Sequence, residues 1–282
     1  MTKRPLVSLA LSLLTVTAVH ADDARVDEAD APEPAAPASR LTLPAGKIAL
    51  AVALQSDLTS KAAGDAVSLA PDLAYGVTNR FTVALVHTTR GGSGFWSGLG
   101  TGSLCIMGER CADTYSTGAL LSKLDLFHHA KLDLAALGGV IYNVDPFRVG
   151  VGLGAEALVQ AGPVAVHFKP TIYIGVNERA GETLDDGTMI GPNKEFLNLP
   201  LALLVPATKH LQLGVQSGVA APVDGFAKAY RVPVAVMGTV ALGAWSAGLA
   251  LSFDRVMGGD HGMPAPGALD KRSLTLSLGY VR

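Results

Sequence analysis

The sequence predicts an all-β chain, a transmembrane antiparallel up-and-down β-barrel of about twelve strands. Three features carry that reading. The composition is apolar and poor in charge yet holds no long apolar run. Residues alternate with a period of two along most of the chain. The connections between the alternating segments are tight and long by turns.

Of 282 residues, 49% are hydrophobic and 16% charged, with a mean hydropathy of +0.35. Soluble domains carry about 25% charged residues. Helical membrane spans need roughly 18 or more consecutive apolar residues. None occurs beyond the N-terminus, because Gly, Pro, Ser, Thr or a single charge interrupts every apolar stretch. Strands that face lipid with one side and a lumen with the other produce this composition.

The chain starts with Lys3 and Arg4, continues apolar from Leu6 to Val19 and reaches Val19-His20-Ala21. This is the pattern of an export signal, residues 1–21, cleaved after Ala21. Its removal takes away two bases and no acid, so the formal net charge of −2 becomes more negative by two. Nothing in that balance suggests a nucleic-acid partner. Residues 22–46 are acidic, rich in Ala and Pro and nearly free of aromatics, and read as a disordered, solvated tail.

From Lys47 to Arg282 the period is two. Phe147, Val149, Val151, Leu153, Ala155, Ala157 and Val159 alternate with Arg148, Gly150, Gly152, Gly154, Glu156 and Leu158. Val164, Val166, Phe168, Ile172, Ile174 and Val176 oppose His167, Lys169, Thr171 and Tyr173, and Leu274, Leu276, Leu278 and Tyr280 oppose Ser273, Thr275, Ser277 and Gly279. Helical spacing explains none of these patterns. Strands are expected near 47–56, 66–77, 80–90, 115–127, 130–142, 147–160, 163–177, 195–206, 209–222, 230–241, 244–255 and 271–282. Tight turns fall at Thr78-Asn79, His128-His129, Ala161-Gly162, Ala207-Thr208 and Gly243. The alternate connections are 57–65, 91–114, 143–146, 178–194, 223–229 and 256–270, and only 143–146 is tight. Loops sorted by side fit a barrel with short periplasmic turns and long outer loops. Tyr75, Phe81, Phe127, Trp245 and Tyr280 lie near the tight-turn ends and Tyr142, Phe147 and Tyr230 near the others, as interfacial girdles do.

The stretch Tyr75-Gly76-Val77-Thr78-Asn79-Arg80-Phe81-Thr82-Val83 resembles the strand, periplasmic turn, strand signature of porin-like bacterial outer-membrane β-barrel proteins. The resemblance covers the export signal and residues 47–282. It implies an outer-membrane location, with membrane lipids and the barrel-assembly machinery as partners. Such barrels end in an aromatic that this machinery reads. Here Tyr280 stands two places before Arg282.

The candidate functional residues are the lumen-facing charges Lys123, Asp125, Lys131, Asp133, Arg148, Glu156, His167 and Lys169. With turns centred on His128 and on Ala161-Gly162, Lys123 faces Asp133, Asp125 faces Lys131, and Glu156 faces His167 with Lys169 diagonal. Cross-strand pairs of opposite charge stabilise by roughly 0.2–1 kcal/mol each. The set is read either as a selective constriction or as an ion-pair network filling the lumen. Gly150, Gly152, Gly154, Gly214, Gly218 and Gly248 on the same face leave room for a path. Cys105 and Cys111, close together in an exported chain, are expected to form a disulfide.

No catalytic set, metal site or cofactor site is assigned. A membrane phospholipase needs Ser beside His, and neither His167 nor His210 has one at a matching position. The pair Asp260-His261 in a Gly-rich loop reads as solvated. The function expected is a passive channel or transporter for small solutes. The alternatives are a closed structural or adhesive barrel acting through its loops and, third, an outer-membrane hydrolase.

Overall fold

A computed structural model describes residues 41–59, 62–87, 104–107, 117–144, 147–183, 189–190, 192–259 and 272–282. In chain order the elements are β1 (Ile48–Thr59), β2 (Ala62–Thr78), β3 (Phe81–Val86), β4 (Leu104–Met107), β5 (Thr117–His129), β6 (Leu132–Asn143), β7 (Arg148–Ala161), β8 (Val164–Phe168) and β9 (Thr171–Gly175). They continue with β10 (Glu182–Thr183), β11 (Met189–Ile190), β12 (Phe196–Pro206), β13 (Leu211–Pro222), α1 (Phe226–Ala229), β14 (Arg231–Leu242), β15 (Trp245–Gly258) and β16 (Arg272–Val281).

Each strand pairs antiparallel with its neighbours, and β1 pairs with both β2 and β16. The main circuit of strands therefore closes on itself, the arrangement a bilayer demands of strands. At the seam Ile48 and Arg282 exchange both backbone hydrogen bonds. The circuit has twelve strands. Strands β8 and β9 are one of them, interrupted at Lys169-Pro170, and both pair with β7 on one side and β12 on the other. β4 prolongs the position of β3, pairing with β2 at Val67–Leu69 where β3 pairs at Leu73–Thr78. β10 and β11 form a small hairpin apart from the wall.

Alternation places two different surfaces on each strand. On β1, Ile48, Leu50, Val52 and Leu54 are exposed while Ala49, Ala51 and Ala53 are buried. On β12, Leu201, Leu203 and Val205 are exposed while Ala202 and Leu204 are buried. Exposed leucine and valine continue around the barrel, which water would not tolerate and hydrocarbon does. A twelve-residue strand rises about 40 Å along its own axis, enough at the usual tilt for the roughly 25 Å apolar band of such barrels. Trp245 packs on Tyr280 at 4.6 Å between ring centroids at the tight-turn end.

The turns lie close to the sequence-based positions, with shifts that change the register. The β5–β6 turn is Ala130-Lys131, so His128 and His129 belong to β5. Strands β7 and β8 join at Gly162-Pro163 and β14 and β15 at Gly243-Ala244. Gly162 and Gly243 have φ of 62°, a conformation glycine adopts without a Cβ penalty. The expected loop 57–65 is shorter, because β1 and β2 remain paired out to Thr59 and Ala62. The expected loop 91–114 contains β4, and 223–229 contains α1.

Within the stretch expected to be a solvated tail, residues 41–43 are enclosed, whereas Ala45 and Gly46 are exposed. Leu41, Thr42 and Leu43 are buried, each at 3% exposure or less. They lie inside the tight-turn end of the barrel. Residues 1–40 lie outside the described residues.

Candidate functional site

The lumen near the tight-turn end holds the charges, and small residues let them meet. Glu156 points inward from β7 beside Ala135 of β6, its backbone partner. Ala135 has no bulk to block Lys123, which reaches across β6 from β5 and sets its Nζ 2.6 Å from Glu156 Oε2. His167 of β8 lies on the other side, its Nε2 2.7 Å from Glu156 Oε1. Lys169, at the break between β8 and β9, shares the field of Glu156, Lys123 and Asp72. Glu156 is 0% exposed. A charge so enclosed persists only when paired, and this carboxylate is held from both sides.

Asp125 and Asp133 are also buried but belong to other pairs. Arg80 binds the Asp125 carbonyl through a guanidinium nitrogen at 2.9 Å and places Nε 3.8 Å from Asp125 Oδ2. Asp125 Oδ1 has no hydrogen-bond partner among the described residues. Asp133 contacts the imidazole Nδ1 of His128 on the neighbouring strand. Higher on β2, Asp72 Oδ1 accepts the backbone N–H of His87 at 2.6 Å. The opposite wall is mostly neutral toward its middle, where Gln216, Thr239, Ser252 and Ser273 are buried, with 2.7 Å between the Ser252 and Ser273 hydroxyls and Gln55 Nε2 donating to Ser273 at 2.9 Å. Toward the loop end it carries the partly exposed pair Arg231–Asp254, 3.5 Å apart.

The structure thus brings together four of the expected residues, Lys123, Glu156, His167 and Lys169, and separates the other four. Lys123 pairs in backbone register with Leu137, not Asp133, and Asp125 with Ala135, not Lys131. The cause is twofold. The turn lies two residues later, and a bulge between Asp125 and Phe127 shifts the ladder again. Lys131 is exposed in the turn, and Arg148 begins β7 at the far end. Glu156 meets His167 diagonally, since the direct partner of His167 is Leu158. Sequence reasoning missed Arg80, His128 and Asp72 as partners. For His128 no signal was available, because regular alternation from Lys123 and Asp125 turns it outward and only the bulge between Asp125 and Phe127 brings it to Asp133.

Four of the six lumen glycines do not leave the room expected of them. A Cβ on Gly150 would stand 2.0 Å from the Tyr173 ring, and one on Gly214 would meet Leu204 and Met237. Gly154 and Gly218 are covered by backbone of the adjoining strands. Tyr173 in turn donates to Asn193 Oδ1 at 2.7 Å, tying the ring to the loop end. At that end Arg179 contacts Glu195 at 2.6 Å, and the hydrogen bond from this guanidinium holds the partly exposed Glu195 carboxyl below its usual pKa. Cys105 lies on β4, while Cys111 is outside the described residues.

No protein-family model and no curated protein matches the sequence. Solved structures do match in shape. The NanC porin shares 8% identity, with 82% of this chain and 98% of that chain covered and a TM-score of 0.57. The COG4313 outer membrane channel from Pseudomonas putida F1 shares 15% identity over 89% of this chain and 100% of that one, with a TM-score of 0.51. The KdgM porin in complex with disordered oligogalacturonate shares 8% identity over 83% and 98%, also at 0.51. At these identities the likeness is one of fold.

Proposed function

We propose that this chain is an outer-membrane barrel through which small solutes cross passively, sorted by the charges on one wall of its lumen. The observation that carries the reading is the closed twelve-strand wall, apolar outside and carrying Lys123, Glu156, His167 and Lys169 inside. Fixed charges between low-dielectric walls focus their field on a passing ion. The shared fold of two porins and an outer membrane channel supports the same reading. Oligosaccharide acids are one solute class, by analogy with the KdgM complex.

In this reading the tight turns face the periplasm, the signal is cleaved after Ala21, and Cys105 pairs with Cys111 beyond the wall. Membrane lipids contact the outward leucines, and the assembly machinery inserts the barrel. The burial of inward residues at many levels, Ala53, Ala70 and Thr239 among them, favours the second reading, a closed barrel acting through its loops. Planar-bilayer recording of the purified protein decides between them. Discrete conductance steps support the channel, and their absence from every folded form, variants with a loosened lumen mouth included, refutes it.

A further inference from the structure

The chain that enters the barrel at its tight-turn end is built into the wall by specific contacts. Gly46 donates to Gly76 at 2.8 Å and Gly76 to Lys47 at 2.9 Å. Ala45 donates to Asn79 Oδ1 at 2.9 Å, Thr42 Oγ1 to Asn79 O at 3.0 Å, and Leu43 to Thr82 Oγ1 at 2.8 Å. Gly76 lets the segment lie against β2, since a Cβ there would sit 2.0 Å from Pro44 O and 2.8 Å from Leu43 O.

From this anchor on β2 and β3 the chain crosses the lumen. Leu41 belongs to an apolar cluster made by Ala135, Leu158, Ala165, Ala202, Leu204, Ala235, Met237 and Ala250. Those residues lie on β6, β7, β8, β12, β14 and β15, and none on β1, β2 or β3. Ala135, Leu158 and Ala165 are each at most 1% exposed. Small inward residues at the mouth of an open, water-filled pore would be wet.

We infer that Leu41–Pro44 is a resident gate, which shuts the tight-turn mouth of the lumen by seating Leu41 and Leu43 and opens it by withdrawing. The inference rests on the channel reading and adds what sets its open state. The segment is suited to the task. Two buried leucines seat it across the lumen, while the wall it leaves keeps its own ladder intact.

The test uses the full mature chain in planar bilayers, with folding checked by heat-modifiable migration on gels. Gly76→Ala puts a methyl group where Pro44 O stands and should expel the segment. Leu41→Ser with Leu43→Ser weakens the seat and leaves the wall untouched, so it decides the matter if Gly76→Ala does not fold. Both should raise mean conductance severalfold over the parent. Equal conductance in the parent and in a folded variant overturns the gate and leaves the channel standing. No conductance from any folded form overturns the channel, and the gate with it.

Discussion

Replacing Glu156 by glutamine keeps the shape of the side chain and removes its charge. Lys123 Nζ at 2.6 Å and His167 Nε2 at 2.7 Å then lose their shared carboxylate. Lys123 and Lys169 are left to repel one another, an interaction that Glu156 now offsets. Removing one partner of a buried pair costs about 3–5 kcal/mol, whereas exposed pairs contribute roughly 0.2–1 kcal/mol. Glu156 at 0% exposure belongs to the first class, so Glu156→Gln should destabilise the barrel by about 3 kcal/mol or more. Denaturant titration of refolded protein, followed by tryptophan fluorescence and heat-modifiable migration, measures this. The double variant Glu156→Gln with Lys123→Met should regain much of the loss, because the stranded cation is gone. A single-variant loss below about 1 kcal/mol, the range of solvated pairs, would refute the enclosed-pair argument. In conducting protein the same change should move selectivity toward anions, since the cluster loses its acid.

Other consequences are checked more simply. An impermeant thiol reagent on intact cells should label a cysteine at Gly187 and spare those at Asn79 and Thr208, and the opposite pattern reverses the proposed orientation. Non-reduced mass spectrometry should find Cys105 and Cys111 two hydrogens short, a ring closure that contributes about 2 kcal/mol; full alkylation without reductant rules the bond out. The Arg179–Glu195 contact should persist at neutral and mildly acidic pH. A carboxyl with a lowered folded pKa contributes stability above its unfolded pKa of about 4.3 and loses it as pH falls through the folded value. Amide protection around residues 177–181 and 193–195 should therefore fall only in stronger acid, and a loss near pH 6 would contradict the assignment.

The barrel was legible because its determinants are local and repeated. Each inward Ala or Gly between outward Leu or Val restates the same pattern, so twelve strands could be counted from the chain. The charge pairs were not, because they depend on register, and a register sums every turn and bulge along a hairpin. One late turn at Ala130-Lys131 and one bulge after Asp125 were enough to separate Lys123 from Asp133 and bring His128 to it instead. Glu156 and His167 were found despite a two-residue error, since both side chains are long enough to meet on the diagonal.

The segment before β1 failed for a different reason. Its composition, Leu41 and Leu43 between Thr, Pro and Ala, carries too little apolar surface to fold alone, and that remains true. What composition could not convey is a finished lumen that supplies the missing partners. Leu41 needs no core of its own when inward side chains from six strands already form the cluster it joins. The same logic bears on the glycines. An inward glycine reads as space in a single strand, yet in the closed barrel Tyr173 fills Gly150 and the backbone at Leu43-Pro44 fills Gly76. Inward small residues mark where another part of the chain comes close. Open space is only one of the things such a position can hold, and at Gly76 it holds the proposed gate.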